Sequence, residues 1–168
     1  MQPQTHYFGG KFSTPLGQMT AIVTTEGALV RLGFAGETRA ARRLLQGIDV
    51  EWQNAKTVSV QQQIEEYFEG RRQKFNLQLA PLGTVFQLRV WQQLSNIPYG
   101  TTLSYGELAH ALGCPTAARA VGAANGANQI AVIVPCHRVI GASGSLTGYA
   151  GGLDVKHALL TLEKAHLN

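Results

Sequence analysis

The chain has 168 residues, 45% hydrophobic and 14% charged, with a formal net charge of +4. That length holds one domain or two small ones, the composition is ordinary for a soluble globular protein, and no apolar run is long enough to span a bilayer. The mild positive balance is compatible with nucleic acid without pointing to it.

The two cysteines, Cys114 and Cys136, have no scaffold spacing, and residues 1–10 lack the apolar core of a secretory leader. The expectation is a cytoplasmic protein with both thiols reduced, no structural zinc and no membrane.

In chain order, residues 6–12 alternate weakly between apolar and polar. Residues 19–25 and 29–34 read as two strands joined at Glu26-Gly27. Residues 38–45 suit a helix stopped by Gly47. Residues 58–68 place Val60, Ile64, Tyr67 and Phe68 near helical spacing, with Gly70 as C-cap. Residues 75–79 read as a short strand. Ala80-Pro81-Leu82-Gly83-Thr84 marks a boundary between residues 1–80 and 81–168. Net charge is +2 on each side, so charge does not separate the two sections, but the second is richer in Gly and Ala.

Thr84 caps a helix to about Leu94, with Phe86, Val90, Trp91 and Leu94 on one stripe. Ser104 and Glu107 form a capping box for a helix to about Leu112. Gly113-Cys114-Pro115 breaks it, and Thr116 caps a second helix through about Asn125. Two short helices joined by a tight turn read as helix-turn-helix. Residues 130–134 read as a buried strand, Gly141 and Gly144 bracket a turn, and residues 153–165 form a last helix anchored by Val155, Leu159, Leu160 and Leu162.

The densest chemistry lies at Val134-Pro135-Cys136-His137-Arg138-Val139. Polar groups there sit where the flanks favour burial, so they need partners. A thiolate is the reactive form of cysteine, and a neighbouring imidazole held by a carboxylate can generate it. Residues 81–168 contain only Glu107, Asp154 and Glu163 as acids, and Glu163 lies among apolar neighbours. From these residues alone a buried structural cysteine, a DNA-binding helix-turn-helix without catalysis and a thiol hydrolase all remain open.

Residues 81–168 closely resemble the O6-alkylguanine-DNA alkyltransferase family. The resemblance rests on Tyr99-Gly100, Ser104-Tyr105, residues 118–122, Ala127-Asn128, residues 133–139 and 148–153, Lys156, Leu159-Leu160 and Glu163; residues 1–80 match more loosely, through 13–17. It implies an α/β (α+β) chain: a small ribonuclease H-like first domain, then a mostly helical domain with a winged-helix-like helix-turn-helix. It also implies direct, single-turnover repair, with an alkyl group passing irreversibly from O6-alkylguanine to Cys136 after base flipping.

In that scheme His137 takes the thiol proton through a water, and Glu163 orients the ring. Tyr105 lies near guanine N3. Asn128 braces the turn ahead of the active-site strand, and the carbonyls of Cys136 and Val139 accept from the guanine amine. Arg119 enters the base stack, with Thr116, Ala117 and Ala120 beside it on the DNA, while Tyr149 and Ala150 line the pocket. Arg138 braces the site. The partner is double-stranded DNA carrying O6-alkylguanine, with O4-alkylthymine a second candidate, and the chain acts as a monomer without cofactor or metal.

Two positions depart from the family pattern. Gln129 replaces a common proline, which predicts a less restrained turn. Ala150 stands where some members carry a serine, which predicts a roomier pocket.

Overall fold

A computed structural model describes residues 6–35 and 49–167. The helix expected over 38–45 lies outside the described residues.

The first half is built on a four-stranded sheet in the order β3-β2-β1-β4. It comprises β1 (His6–Thr14), β2 (Gly17–Thr24), β3 (Leu29–Phe34) and β4 (Asp49–Trp52). β1–β2 and β2–β3 pair antiparallel, while β4 joins β1 in parallel. Met19, Ala21, Leu29 and Leu32 enter the main core, and α1 (Val58–Phe68) contributes Val60, Ile64 and Tyr67. Those three sit at i, i+4 and i+7, the spacing of one helix face. The C-terminal end of α1 is closed by two bonds, Gly70 N–H to the Tyr67 carbonyl and Arg71 N–H to the Glu66 carbonyl. Gly70 sits at φ +76°. This is the left-handed termination that favours glycine.

The second half is helical: α2 (Val85–Leu94), α3 (Tyr105–Ala111), α4 (Ala118–Gly126) and α5 (Leu153–Ala165). Two short parallel strands, β5 (Leu103–Ser104) and β6 (Val139–Ile140), tie the start of α3 to the segment after Cys136. Thr84 and Ser104 form capping boxes with Gln87 and Glu107. α3 and α4 pack on each other as the helical hairpin expected. Thr116, however, is not the cap of α4: that position is Ala117, and no side chain bonds the first turn. The chain enters α4 through a turn closed by Ala117 N–H to the Cys114 carbonyl, which leaves Thr116 one residue too early and exposed.

Two expected strands are not strands. Residues 75–79 make a single bridge, Leu79 to Leu29, and residues 130–134 make another, Ile130 to Leu32. Both lie along the open edge of β3, each through two backbone bonds. Leu29 N–H donates to Gln78 and Ala80 N–H to Leu29; Leu32 N–H donates to Gln129 and Ala131 N–H to Leu32. An unpaired sheet edge has donors and acceptors to satisfy, and two loops suffice here. β3 is therefore buried along its whole length.

The last helix also departs from its expected face. Its buried residues are Lys156, Leu159 and Glu163. Of the apolar anchors read from sequence only Leu159 is fully buried; Val155, Leu160 and Leu162 are half-buried. Two charged residues occupy the core side because their partners lie there.

Candidate active site

Cys136 opens a 3-10 turn, Cys136–Arg138, directly after Pro135. The preceding segment, 130–134, doubles back, with Val134 N–H donating to the Ile130 carbonyl at 3.0 Å. Val132 is held at φ +71°. A β-branched residue there costs on the order of 1–3 kcal/mol. Asn128 supplies what a sheet would have supplied. Its Oδ1 accepts from Ile130 N–H at 3.1 Å, and its Nδ2 donates to the Val134 carbonyl at 2.8 Å. The same amide nitrogen lies 3.1 Å from Cys136 Sγ. One side chain thus shapes the turn and gives the sulfur a donor.

Cys136 is 6% exposed and lines a narrow recess that opens to solvent. The recess is also lined by Asn128, Tyr149 and Ala150, and by Leu32 and Phe34 from β3. Burial pushes the thiol pKa up, against the Asn128 hydrogen bond and the Lys156 charge, which pull it down. The resting sulfur is therefore a neutral thiol with thiolate-stabilising groups already in place. The Tyr149 hydroxyl is buried without a protein partner. Burial, then the nearby sulfur and Glu163, hold its proton on well above the usual phenol range.

A dense charge cluster lies behind the turn. Glu163, fully buried, accepts from His137 Nε2 at 2.6 Å, from Arg138 Nε at 2.9 Å and Nη2 at 3.0 Å, from Gly100 N–H at 3.1 Å and from Tyr67 Oη at 2.7 Å. Burial by itself would raise this carboxyl, but the His137 and Arg138 hydrogen bonds outweigh it and hold its pKa far below the usual carboxylate range. Burial lowers the His137 pKa, with Arg138 and Lys156 adding to the shift and Glu163 opposing it. A neutral ring beside a carboxylate carries its proton on Nε2, so Nδ1 keeps a basic lone pair. Nδ1 is buried and makes no hydrogen bond to protein.

Arg138 also donates to the Ile97 carbonyl at 2.7 Å, which anchors the turn to the end of α2. Lys156 is fully buried, and its Nζ donates to the carbonyls of Val139 at 2.6 Å and Thr147 at 2.9 Å. Burial lowers its pKa, opposed by the Cys136 sulfur.

Cys136, Asn128, Tyr149 and Ala150 thus meet on the recess, with His137 and Glu163 joined behind it. Val139 lies beneath: it is not among the recess residues, and its carbonyl already accepts from Lys156. Tyr105 Oη donates to the Thr147 carbonyl at 3.0 Å. Arg119 and Ala120 are exposed on the first turn of α4, with Thr116 exposed just ahead and Ala117 half-buried. Gln129 does not leave the turn loose. It is 2% exposed, accepts from Arg31 Nη1 at 2.8 Å and donates to the Ala127 carbonyl at 2.7 Å, so hydrogen bonds restrain what a proline ring would have.

Residues 7–81 match the model of the 6-O-methylguanine DNA methyltransferase ribonuclease-like domain, and residues 85–165 match the DNA-binding domain of the same family. The chain belongs to the 6-O-methylguanine DNA methyltransferase family. A methylated-DNA–protein-cysteine methyltransferase of Mycolicibacterium paratuberculosis is 59% identical over 105 residues, 62% of this chain and 64% of that one. One from Methanosarcina acetivorans is 60% identical over 101 residues, 60% of this chain and 65% of that one. These matches span just under two thirds of either relative. Among solved structures, Mycobacterium tuberculosis OGT in complex with DNA superposes with a TM-score of 0.85 at 43% identity, covering 95% of this chain and 94% of that one. The M. tuberculosis O6-methylguanine methyltransferase gives 0.83 at 44% identity, covering 97% and 94%.

Every site residue expected from sequence falls in the stretch that matches the family's DNA-binding domain. The residues missed are mostly in the ribonuclease-like one: Tyr67 on Glu163, Arg31 on Gln129, and Leu32 and Phe34 on the recess. No local pattern marks these; Tyr67 reads simply as the third apolar position of a helix face. Lys156 carried the resemblance but was given no role, and Thr147 was missed. A lysine at i−3 from Leu159, on the buried side of α5, was the available signal.

Proposed function

We propose that this chain repairs O6-alkylguanine in double-stranded DNA by moving the alkyl group irreversibly to Cys136, one group per chain. The observation that carries the reading is a single sulfur lining an open recess, touched by the Asn128 amide and backed by the His137–Glu163 pair. It agrees with what the similar proteins are called, methylated-DNA–protein-cysteine methyltransferases.

The thiol proton passes through a water to His137 Nδ1, while Glu163 stabilises the imidazolium that forms. Sγ then attacks the alkyl carbon in line. The S–C bond forms as the C–O6 bond breaks, and its electron pair leaves with the purine. Tyr105, exchanging its bond to the Thr147 carbonyl for one to N3, disperses that charge, and the purine ends with a proton in place of the alkyl group. The product is a thioether, which water does not cleave, so the protein is consumed. No cofactor takes part.

The alkyl group lies inside a base stack, so the nucleotide must be everted, at a cost of about a few kcal/mol. Arg119, exposed at the start of α4, fills the space left behind. The first turn of α4, with no side-chain cap, offers free N–H groups to a phosphate, beside Thr116, Ala117 and Ala120. Tyr149 and Ala150 shape the pocket, and the Cys136 carbonyl accepts from the guanine amine; the Val139 carbonyl, beneath the recess and held by Lys156, does not take that role. The domain boundary falls at residues 80–84. The protein acts as a monomer in the cytoplasm; none of its described helices is long and apolar enough to cross a membrane.

Intact-mass analysis tests this after incubation with a duplex containing one O6-methylguanine. One methyl replaces one hydrogen, uptake saturates at one equivalent, and the change maps to the Cys136 peptide. The Cys136→Ala protein binds the duplex and gains nothing. Continued turnover, or transfer to Cys114, sinks the reading. A duplex carrying O4-methylthymine tests the second substrate. Arg119→Ala slows transfer from duplex far more than from the free alkylated base.

A further inference from the structure

We propose that Tyr67, on α1 of the ribonuclease-like half, is a positioning residue of the proton relay: its hydroxyl limits how strongly Glu163 pulls on His137, and so keeps the imidazole neutral with Nδ1 basic. This rests on the reading of Cys136 as alkyl acceptor.

Glu163 Oε2 carries three donors: Tyr67 Oη at 2.7 Å, His137 Nε2 at 2.6 Å and Arg138 Nη2 at 3.0 Å. A carboxylate oxygen that accepts several hydrogen bonds has its charge dispersed among them. Each further donor therefore leaves less charge to stabilise an imidazolium. Tyr67 cannot turn away. It is fully buried, and its ring meets Phe68 edge-on at 5.4 Å and Tyr99 edge-on at 6.2 Å, with Phe75 tilted against it at 5.7 Å.

The groups facing the pair come from five places, one of them the segment before α5, which brings Tyr149. The 136–138 turn brings His137 and Arg138, α5 brings Glu163 and Lys156, the loop before β5 brings Tyr99 and Gly100 N–H, and α1 brings Tyr67. Arg138 and Lys156 already disfavour the imidazolium; Glu163 alone favours it. Two groups moderate Glu163 without adding charge, the Gly100 N–H on Oε1 and the Tyr67 hydroxyl on Oε2, and Tyr67 is the one that shares its oxygen with His137. Burial and the Glu163 charge hold the Tyr67 proton on the phenol far above the usual range, so it stays a donor.

A purely structural role makes a different prediction. Without the Tyr67 hydroxyl, Oε1 keeps Arg138 Nε and Gly100 N–H, and Oε2 keeps His137 and Arg138 Nη2. The carboxylate stays put in Tyr67→Phe, but its charge is freer.

The test follows the His137 ring by NMR titration in the full chain, beside the pH profile of single-turnover transfer from an O6-methylguanine duplex. Tyr67→Phe raises the His137 pKa by about one unit. The acid limb of the rate profile moves up with it, so transfer below the limb slows about tenfold while the plateau holds. Site-specific fluorotyrosine at position 67, a stronger donor of nearly the same shape, shifts both downward. Wild-type titration in both variants, or slowing at every pH without a His137 shift, overturns the proposal. If Tyr67→Phe does not fold, the fluorotyrosine protein decides. If the wild-type chain gains no alkyl mass, the functional reading falls, and the ring titration still decides on Tyr67.

Discussion

The core face of the first half's sheet and the last helix of the second bury opposite kinds of side chain. The sheet side of the core is apolar: Met19, Ala21, Leu29 and Leu32 meet Val60 and Ile64. Helix α5 buries Lys156 and Glu163 on either side of Leu159. Burying charge is a poor route to stability, because the desolvation cost rivals the attraction gained. The sheet therefore supplies stability that the α5 cluster does not, and what the cluster supplies is its effect on His137 and Cys136. Changes on the two sides should separate accordingly.

The largest effect is expected at the charge cluster. Glu163→Gln leaves Arg138 buried without its anion and costs about 3–5 kcal/mol. Chemical denaturation measures that, and transfer to Cys136 is lost even in the folded fraction. Met19→Ala, in the apolar side, costs about 2–5 kcal/mol through an unfilled cavity. Here the folded protein keeps the wild-type transfer rate. If Met19→Ala also slowed transfer per folded molecule, the separation would fail.

Acid sharpens the contrast next. His137 and Glu163 both have folded pKa values below their unfolded ones. The unfolded chain therefore binds more protons on acidification, and stability falls with pH. The His137 contribution fades as pH drops below about 6.5 and the Glu163 contribution below about 4.3, while neither changes above pH 8. Thermal melts across that range in Met19→Ala keep the wild-type shape, displaced downward. The smallest effect is at the capping box of α2, where Thr84→Ala costs about 1 kcal/mol in a melt and leaves transfer unchanged.

Much of this was legible in local sequence, and for local reasons. Ser104 and Glu107 announce the start of α3 because a capping box needs only residues three apart. Val60, Ile64 and Tyr67 announce a buried face because helical periodicity is local. Gly70 marks the end of α1 because few other residues tolerate its backbone angles. Cys136 and His137 stand out as polar groups between apolar flanks and Glu163 as an acid among apolar neighbours, while their roles came from the family resemblance, which no periodicity supplies. The two misread strands have one cause. Residues 75–79 and 130–134 have strand composition, yet they satisfy the edge of β3 with two bonds apiece. Asn128, not a strand, then supplies the remaining partners of the 130–134 turn.

The chain by itself determined the starts of α2 and α3 and the end of α1, the sulfur and imidazole at adjacent positions, and the family to which it belongs, since each is written in short sequence motifs. Only the tertiary structure decided that Tyr67 reaches Glu163 across 96 positions, that Arg31 holds Gln129, and that β3 walls the recess over Cys136. A hydrogen bond is satisfied by whichever group the fold delivers, and no local pattern states which one that will be.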